Sequence, residues 1–177
     1  MTIRDSKTSV GRWGAIFTAA MLAGIAPARA TGPAPEPIPI AVLDLDYDDR
    51  SGEVQDQRQQ HAVRLVHFAE TLRRDLAASG RYRIVNPVCD PAPCAAAGAD
   101  PAVLVADARK VGARLMMFGG VHKMSTLVEW AKLLVIDVQT EQVVFDRLIT
   151  FRGDDDEAWN RAAAFSVQEF LTPPAAR

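Results

Sequence analysis

The alternation of apolar and polar residues divides the chain into recognisable elements. Ile38 to Asp46 alternates in part and is rich in branched side chains, so it reads as a first strand. Asp48 to Glu53 reads as a loop. From Gln55 to Ser79, Ala62, Leu65, Val66, Ala69, Leu72 and Leu76 recur at helical spacing, and Gly80 supplies a stop. Arg81 to Asn86 reads as a short strand ended by Pro87. Asp100 and Pro101 have the form of an N-cap and first helical position, for a helix running to about Val111. Three strands follow, Arg114 to Met124, Leu127 to Val138 and Gln142 to Arg152, with a hairpin turn at Gln139 to Glu141. A last helix starts within Asp154-Asp155-Asp156-Glu157, where carboxylates suit the partly positive helix N-terminus, and ends before Pro173-Pro174.

The order is β-α-β-α-β-β-β-α. It predicts an α/β (α+β) fold, a single mixed five-stranded sheet with three helices. The strand over Leu127–Val138 is apolar on both faces, with Val128, Trp130, Leu134, Ile136 and Val138 on one and Leu127, Ala131, Leu133 and Val135 on the other. Such a sheet needs cover on both sides, and three helices leave room for an exposed remainder suited to a partner.

The first residues change the charge balance. Arg4, Lys7 and Arg12 precede an apolar stretch from Trp13 to Ala26, too short to span a bilayer, and Ala28-Arg29-Ala30 has the form of a cleavage site. Residues 1–30 are therefore expected to be a signal peptide cleaved after Ala30, followed by a flexible lead-in over 31–37, one domain over 38–172 and a disordered tail over 173–177. The whole chain of 177 residues has a net charge of −2. The leader holds four of the 20 basic and one of the 22 acidic residues, leaving a mature protein near −5. That balance argues against nucleic acid as a partner. No membrane span is expected after cleavage, and the expected compartment is the periplasm.

Export sets the fate of the only two cysteines. Cys89 and Cys94 are close, even in number and bound for an oxidising compartment, so they are expected to form a structural disulfide. A redox site would call for C-x-x-C spacing, and zinc would need further ligands. His61 and His67 do not supply them, because six residues apart on a helix they point to different sides. No metal or cofactor is expected.

Candidate chemistry is sparse. The first β-α junction, Asp44-Leu45-Asp46-Tyr47-Asp48-Asp49, is acidic and lacks a Gly-rich phosphate loop. It opens like a calcium loop, but Asp49 stands in place of the turn glycine and Gln55 in place of the bidentate Glu. Asp44 and Asp46 share a strand face and form the candidate acidic cluster for a cation-dependent hydrolase. Ser125 and His122 fall on opposite faces, and there is no G-x-S-x-G elbow, so no catalytic residues are assigned. Lys123, Ser125, Trp130 and Trp159 are the candidate partner surface.

Four stretches carry a resemblance: Leu72 to Val85, the Cys89/Cys94 pair, Gly119 to Leu127 (G-x-V-x-K-x-S-x-L), and Arg152 to Arg161 (R-G-x-x-D-E-x-W). In their order along the chain they resemble a family of small exported bacterial proteins of unknown function, some from methylotrophic bacteria. The element order is similar to the N-terminal domain of the Tol-system translocation protein and to outer-membrane activators of peptidoglycan synthases. The resemblance implies a non-catalytic periplasmic accessory or assembly protein that binds an envelope protein, with a link to a periplasmic oxidation system. A cation-dependent hydrolase and a small-ligand carrier with a closed apolar cavity stand as alternatives, and the oligomeric state is open.

Overall fold

The computed structural model describes residues 35–89 and 94–172. The expected signal peptide, most of the lead-in and the tail lie outside the described residues. The elements are β1 (Ile38–Val42), β2 (Asp46–Asp49), α1 (Arg58–Ala78), β3 (Tyr82–Ile84), α2 (Pro101–Lys110), β4 (Leu115–Ser125), β5 (Val128–Asp137), β6 (Val143–Arg152) and α3 (Asp156–Leu171).

The fold is α/β with three helices on one mixed sheet, in the order β3-β1-β4-β5-β6. The sheet has six strands because β1 ends at Val42, short of the expected Asp46, and a separate β2 begins at Asp46 and takes in Asp48 and Asp49, which read as loop from the sequence. β1 runs parallel to the start of β4, pairing Ile40 with Leu115, and β2 runs parallel to its far half, pairing Asp46 with Gly120. Between them the chain leaves β4, and Asp44 forms an isolated bridge with Ala95. β4, β5 and β6 form an antiparallel meander. Gly119 and Gly120 let three backbones converge here. A Cβ on Gly119 would stand 2.0 Å from the Lys132 carbonyl oxygen, and one on Gly120 2.7 Å from that of Asp46.

Local chemistry sets the helix ends. Asp100 accepts a hydrogen bond from the Ala102 amide at 2.8 Å, with Pro101 in the first helical position. Asp155 accepts from the Ala158 amide at 2.7 Å and is the α3 N-cap. Gly80 takes φ 68° just past α1. The buried stripe of α1 differs from the one read from sequence. Ala62 and Val66 are exposed, whereas His61, Phe68, Ala69, Thr71, Leu72 and Leu76 are buried. His61 sits on the inner face because charged groups there receive it, which apolar periodicity does not register.

Each sheet face has its own core. α1 and α3 cover one face, where Phe68, Leu72, Leu76, Trp159, Ala163 and Val167 meet Met117, Val121, Ala131, Leu133 and Val135. α2 covers one end of the other, packing Leu104, Val105 and Ala108 on Ala41, Leu43, Met116, Ile136 and Val138. Among the described residues no helix lies on the rest of that second face, over the middle of β4, β5 and β6.

Candidate functional site

Alternation along β4 and β5 sorts their side chains between the two faces. Lys123 and Glu129 pair across the strands and both point under the helices, each 0% exposed. Trp159 of α3 is buried there too, at 2%. Lys123 and Trp159 therefore do not belong to an exterior partner surface, which corrects the sequence expectation. Ser125 is exposed at the β4 tip, past a register shift, and Trp130 lies half-buried on the opposite face.

Lys123 is one hub of a buried polar cluster. Its Nζ donates to Gln57 Oε1 at 2.6 Å, to Asp154 Oδ2 at 2.5 Å and to Glu53 Oε2. Asp154 is the other hub. It also accepts from His61 Nε2, at 2.9 and 3.0 Å to its two oxygens, and from Arg64 Nη1 at 2.6 Å. Arg64 reaches on to Asp156 at 2.8 Å. The acidic run caps α3 as expected, through Asp155, while Asp154 does other work. Asp154 ties β4, α1 and the start of α3 together.

Burial opposes charge on both hubs, but their mutual hydrogen bonds outweigh it. The Asp154 carboxyl is held below its usual range by Lys123 and His61, and the Lys123 ammonium above its own by Asp154 and Glu53. Glu129 is different. Among the described residues neither of its carboxylate oxygens has a hydrogen-bond partner, and burial, helped by the Asp154 charge, pushes its pKa up to about 7 against the opposing pull of Lys123 and Arg64. Tyr47 Oη and Trp159 Nε1 are likewise buried without partners. Burial and the charges of Asp49, Asp154 and Glu129 push the Tyr47 hydroxyl up. Its ring packs 4.6 Å from that of His61, which stacks 5.9 Å from Trp159. The cluster links the end of β4, the start of α1 and the β6–α3 loop through its own side chains.

Sequence reasoning missed His61, Asp154, Glu53, Gln57 and Glu129. The one usable signal was polarity at positions of odd parity in β4 and β5, where the neighbours Val121, Ala131 and Leu133 are core.

Asp44 and Asp46 do not form a pair. Asp44 is exposed and bonded to Arg73 Nη2 at 2.9 Å, while Asp46 accepts from the Ala97 amide at 2.9 Å. They line two different surface depressions, one with Arg73 and Asn86, the other with Phe118 and His122. Burial raises the Asp46 carboxyl pKa, against the Ala97 hydrogen bond. Among the described residues no group of three or more His, Cys, Asp or Glu side chains gathers to hold a metal. Cys89 and Cys94 are joined in a disulfide. No helix among the described residues is long and apolar enough to cross a membrane.

The uncovered part of the second face is the other candidate surface. Phe118 and His122 of β4 pair with Leu134 and Trp130 of β5, which pair in turn with Asp146 and Thr150 of β6. Phe118, Trp130 and Leu134 are half-buried and Leu148 is 52% exposed. Lys132, flanked by these, forms an ion pair with Asp146.

The same architecture occurs in solved structures. The PelC dodecamer from Paraburkholderia phytofirmans is similar with a TM-score of 0.50 and 15% identity, over 79% of this chain and 92% of that one. The LpoB C-terminal domain from Salmonella enterica is similar with a TM-score of 0.44 and 16% identity, over 67% and 84%. TolB from Acinetobacter baumannii is similar at 0.46 and 15%, over 77% of this chain but 28% of that one. No curated protein matches the chain. The sequence pattern of the DUF3280 family, described as a protein of unknown function (DUF2380), matches residues 39–171. The chain belongs to that family.

Proposed function

We propose that this is a periplasmic accessory protein that works by binding another envelope protein rather than by catalysis. The observation that carries the reading is the uncovered sheet face. Trp130, Leu134 and Leu148 lie on one side of adjacent strands with no helix of the described chain over them, and Phe118 borders them at the edge of the α2 core. Aromatic and aliphatic side chains rimmed by charges are what a protein interface uses at its centre. The rim here is mixed, with Lys132 and Arg152 against Asp46, Asp48 and Asp146. It fits a partner surface that is apolar in the middle and carries both signs around it.

The expected leader and the disulfide support a periplasmic setting. The hydrolase alternative was built on Asp44 and Asp46, which do not converge. The small-ligand alternative required a closed cavity, and the depressions beside Asp44, over Phe118 and along β6 and α3 are open to solvent. A link to a periplasmic oxidation system rests on the sequence resemblance alone and forms no part of this reading.

The test is site-specific photocrosslinking in the producing cell. A photoreactive residue at position 130 should give a discrete adduct that disappears when Leu134→Asp is added. The same residue at Arg74, an exposed position on α1, should give none. Equal adducts from both positions, or none from 130 at normal expression, would overturn the reading.

A further inference from the structure

Among the described residues β6 is the long free edge of the sheet, since β3 at the opposite edge spans only three residues. The Gly153 amide donates to the Leu127 carbonyl across the β5–β6 pair. Alternation then turns the amides and carbonyls of Phe151, Ile149 and Arg147 toward β5. Those of Asp146, Leu148, Thr150 and Arg152 point outward, and these four side chains also share the uncovered face. The edge has no proline, and its register with β5 is unbroken from Phe145 to Arg152. It lacks two of the devices that proteins use to discourage edge pairing. Leu148 is exposed along it, and beside it on α3 Phe165 is 47% exposed over a groove lined by Ile149, Phe151, Ala158 and Ala162.

A second copy pairing antiparallel here must set outward residues against outward residues, and that leaves few registers. Centred on Asp146 or on Arg147, the pairing stacks a charge on its own copy, which is unfavourable. Centred on Leu148, it leaves each charge opposite an uncharged residue or Ile149. Centred on Ile149, it sets Asp146 against the partner's Arg152 and Arg152 against the partner's Asp146, with Leu148 and Thr150 facing each other between them. Asp146 already binds Lys132, but a carboxylate has acceptor sites for a second cation. The weak Arg147 Nη1 contact to the outward Asp146 carbonyl, at 3.3 Å, has to move aside.

We propose that the protein forms a two-fold dimer through antiparallel β6–β6 pairing in the register centred on Ile149. The sheet then runs on through both copies. The uncovered faces of the two copies join on one side, and the groove holding Phe165 is closed on the other. The dimer is independent of which envelope protein, if any, docks on the face.

Charge reversal tests both the dimer and its register. Sedimentation velocity of the disulfide-intact protein should show a dimer at micromolar concentration. Asp146→Arg and Arg152→Asp should each weaken it at least tenfold, because each sets like charges against each other twice. The double variant D146R/R152D restores both pairs and should return affinity to near the starting value. Circular dichroism melts check that each variant folds. A protein that stays monomeric at tens of micromolar, a dimer indifferent to the single reversals, or a double variant no better than the singles would each overturn the proposal.

Discussion

Replacing Glu129 with Gln should make the protein more stable, and only above acidic pH. Glu129 lies fully buried under α1 and α3 with both oxygens unpartnered, and its pKa is raised from 4.5 to about 7. In the unfolded chain the same carboxyl loses its proton near its ordinary value. Between these two points the unfolded state binds fewer protons than the folded one, so stability falls as pH rises from about 4.5 to about 7 and is level beyond. At roughly 1.4 kcal/mol per pKa unit, the loss completed above pH 7 is on the order of 3 kcal/mol. Gln keeps the shape of the protonated acid and cannot ionise, so E129Q escapes that loss. In a domain of this size the gain corresponds to a rise in Tm of about 6–12 °C. Thermal melts of the oxidised protein from pH 4 to 8.5, variant against parent, read it directly. The difference cancels the titration of groups not coupled to Glu129, and Asp154, which is coupled to it, titrates below this pH window. Depressed by Lys123 and His61, Asp154 stabilises the fold at neutral pH and loses its effect as pH falls below the usual carboxylate range. The two curves should coincide near pH 4, separate through pH 6 and run parallel above 7. A constant offset, or a variant less stable at pH 8, would refute the reasoning. It would mean that Glu129 is ionised and paired in the folded protein.

Two further outcomes follow from the same geometry. Lys123→Met should cost about 3–5 kcal/mol in urea unfolding at pH 7, because Asp154 and Glu53 then lose a shared cation within a buried site; a change below about 1 kcal/mol would show that the cluster is open to water. Cys89→Ser should lower stability by on the order of 2 kcal/mol and leave the far-ultraviolet spectrum unchanged, since the closed loop is short and remote from the β4–β5 cluster; an unchanged Tm would show that the pair does not staple the fold.

Signals carried by local chemistry were legible in the sequence. The Asp100-Pro101 start, the Gly80 stop, the hairpin before β6 and the cysteine pairing each depend on a few adjacent residues. The split of the first strand was not legible, because Leu43 and Leu45 continue the apolar pattern while the backbone leaves one stretch of β4 and joins another. Only Gly120 marks the place where β2 must come close, and a glycine does not name its neighbour. The polar residues were misplaced for a related reason. Lys123 and Trp159 look like surface groups one at a time, and Asp154 looks like part of a capping run. Each becomes interior only when strand parity, α1 and the β6–α3 loop bring cation and carboxylates together. Parity was available from Val121, Ala131 and Leu133. Using it would have meant accepting a Lys and a Glu in the core, against their strong average preference for water.

The division of labour between the two sheet faces explains why a protein without an evident reaction retains such a cluster. A buried ion network is a poor source of net stability, since an apolar set of the same volume does as well or better. What it supplies here is position. Asp154 cannot satisfy Lys123, His61 and Arg64 together unless the β6–α3 loop, α1 and the end of β4 hold one arrangement. Slippage of β4 against β5 by one residue would carry Lys123 onto the open face and strand Asp154 among apolar groups. The cluster therefore fixes the register of the same strands whose other sides display Phe118, His122, Trp130 and Leu134. Under this account the binding face is organised from behind. Loss of Lys123 should blur crosslinking from position 130 even where the fold survives, whereas changes at Leu134 or Trp130 should abolish binding and leave melting unaltered.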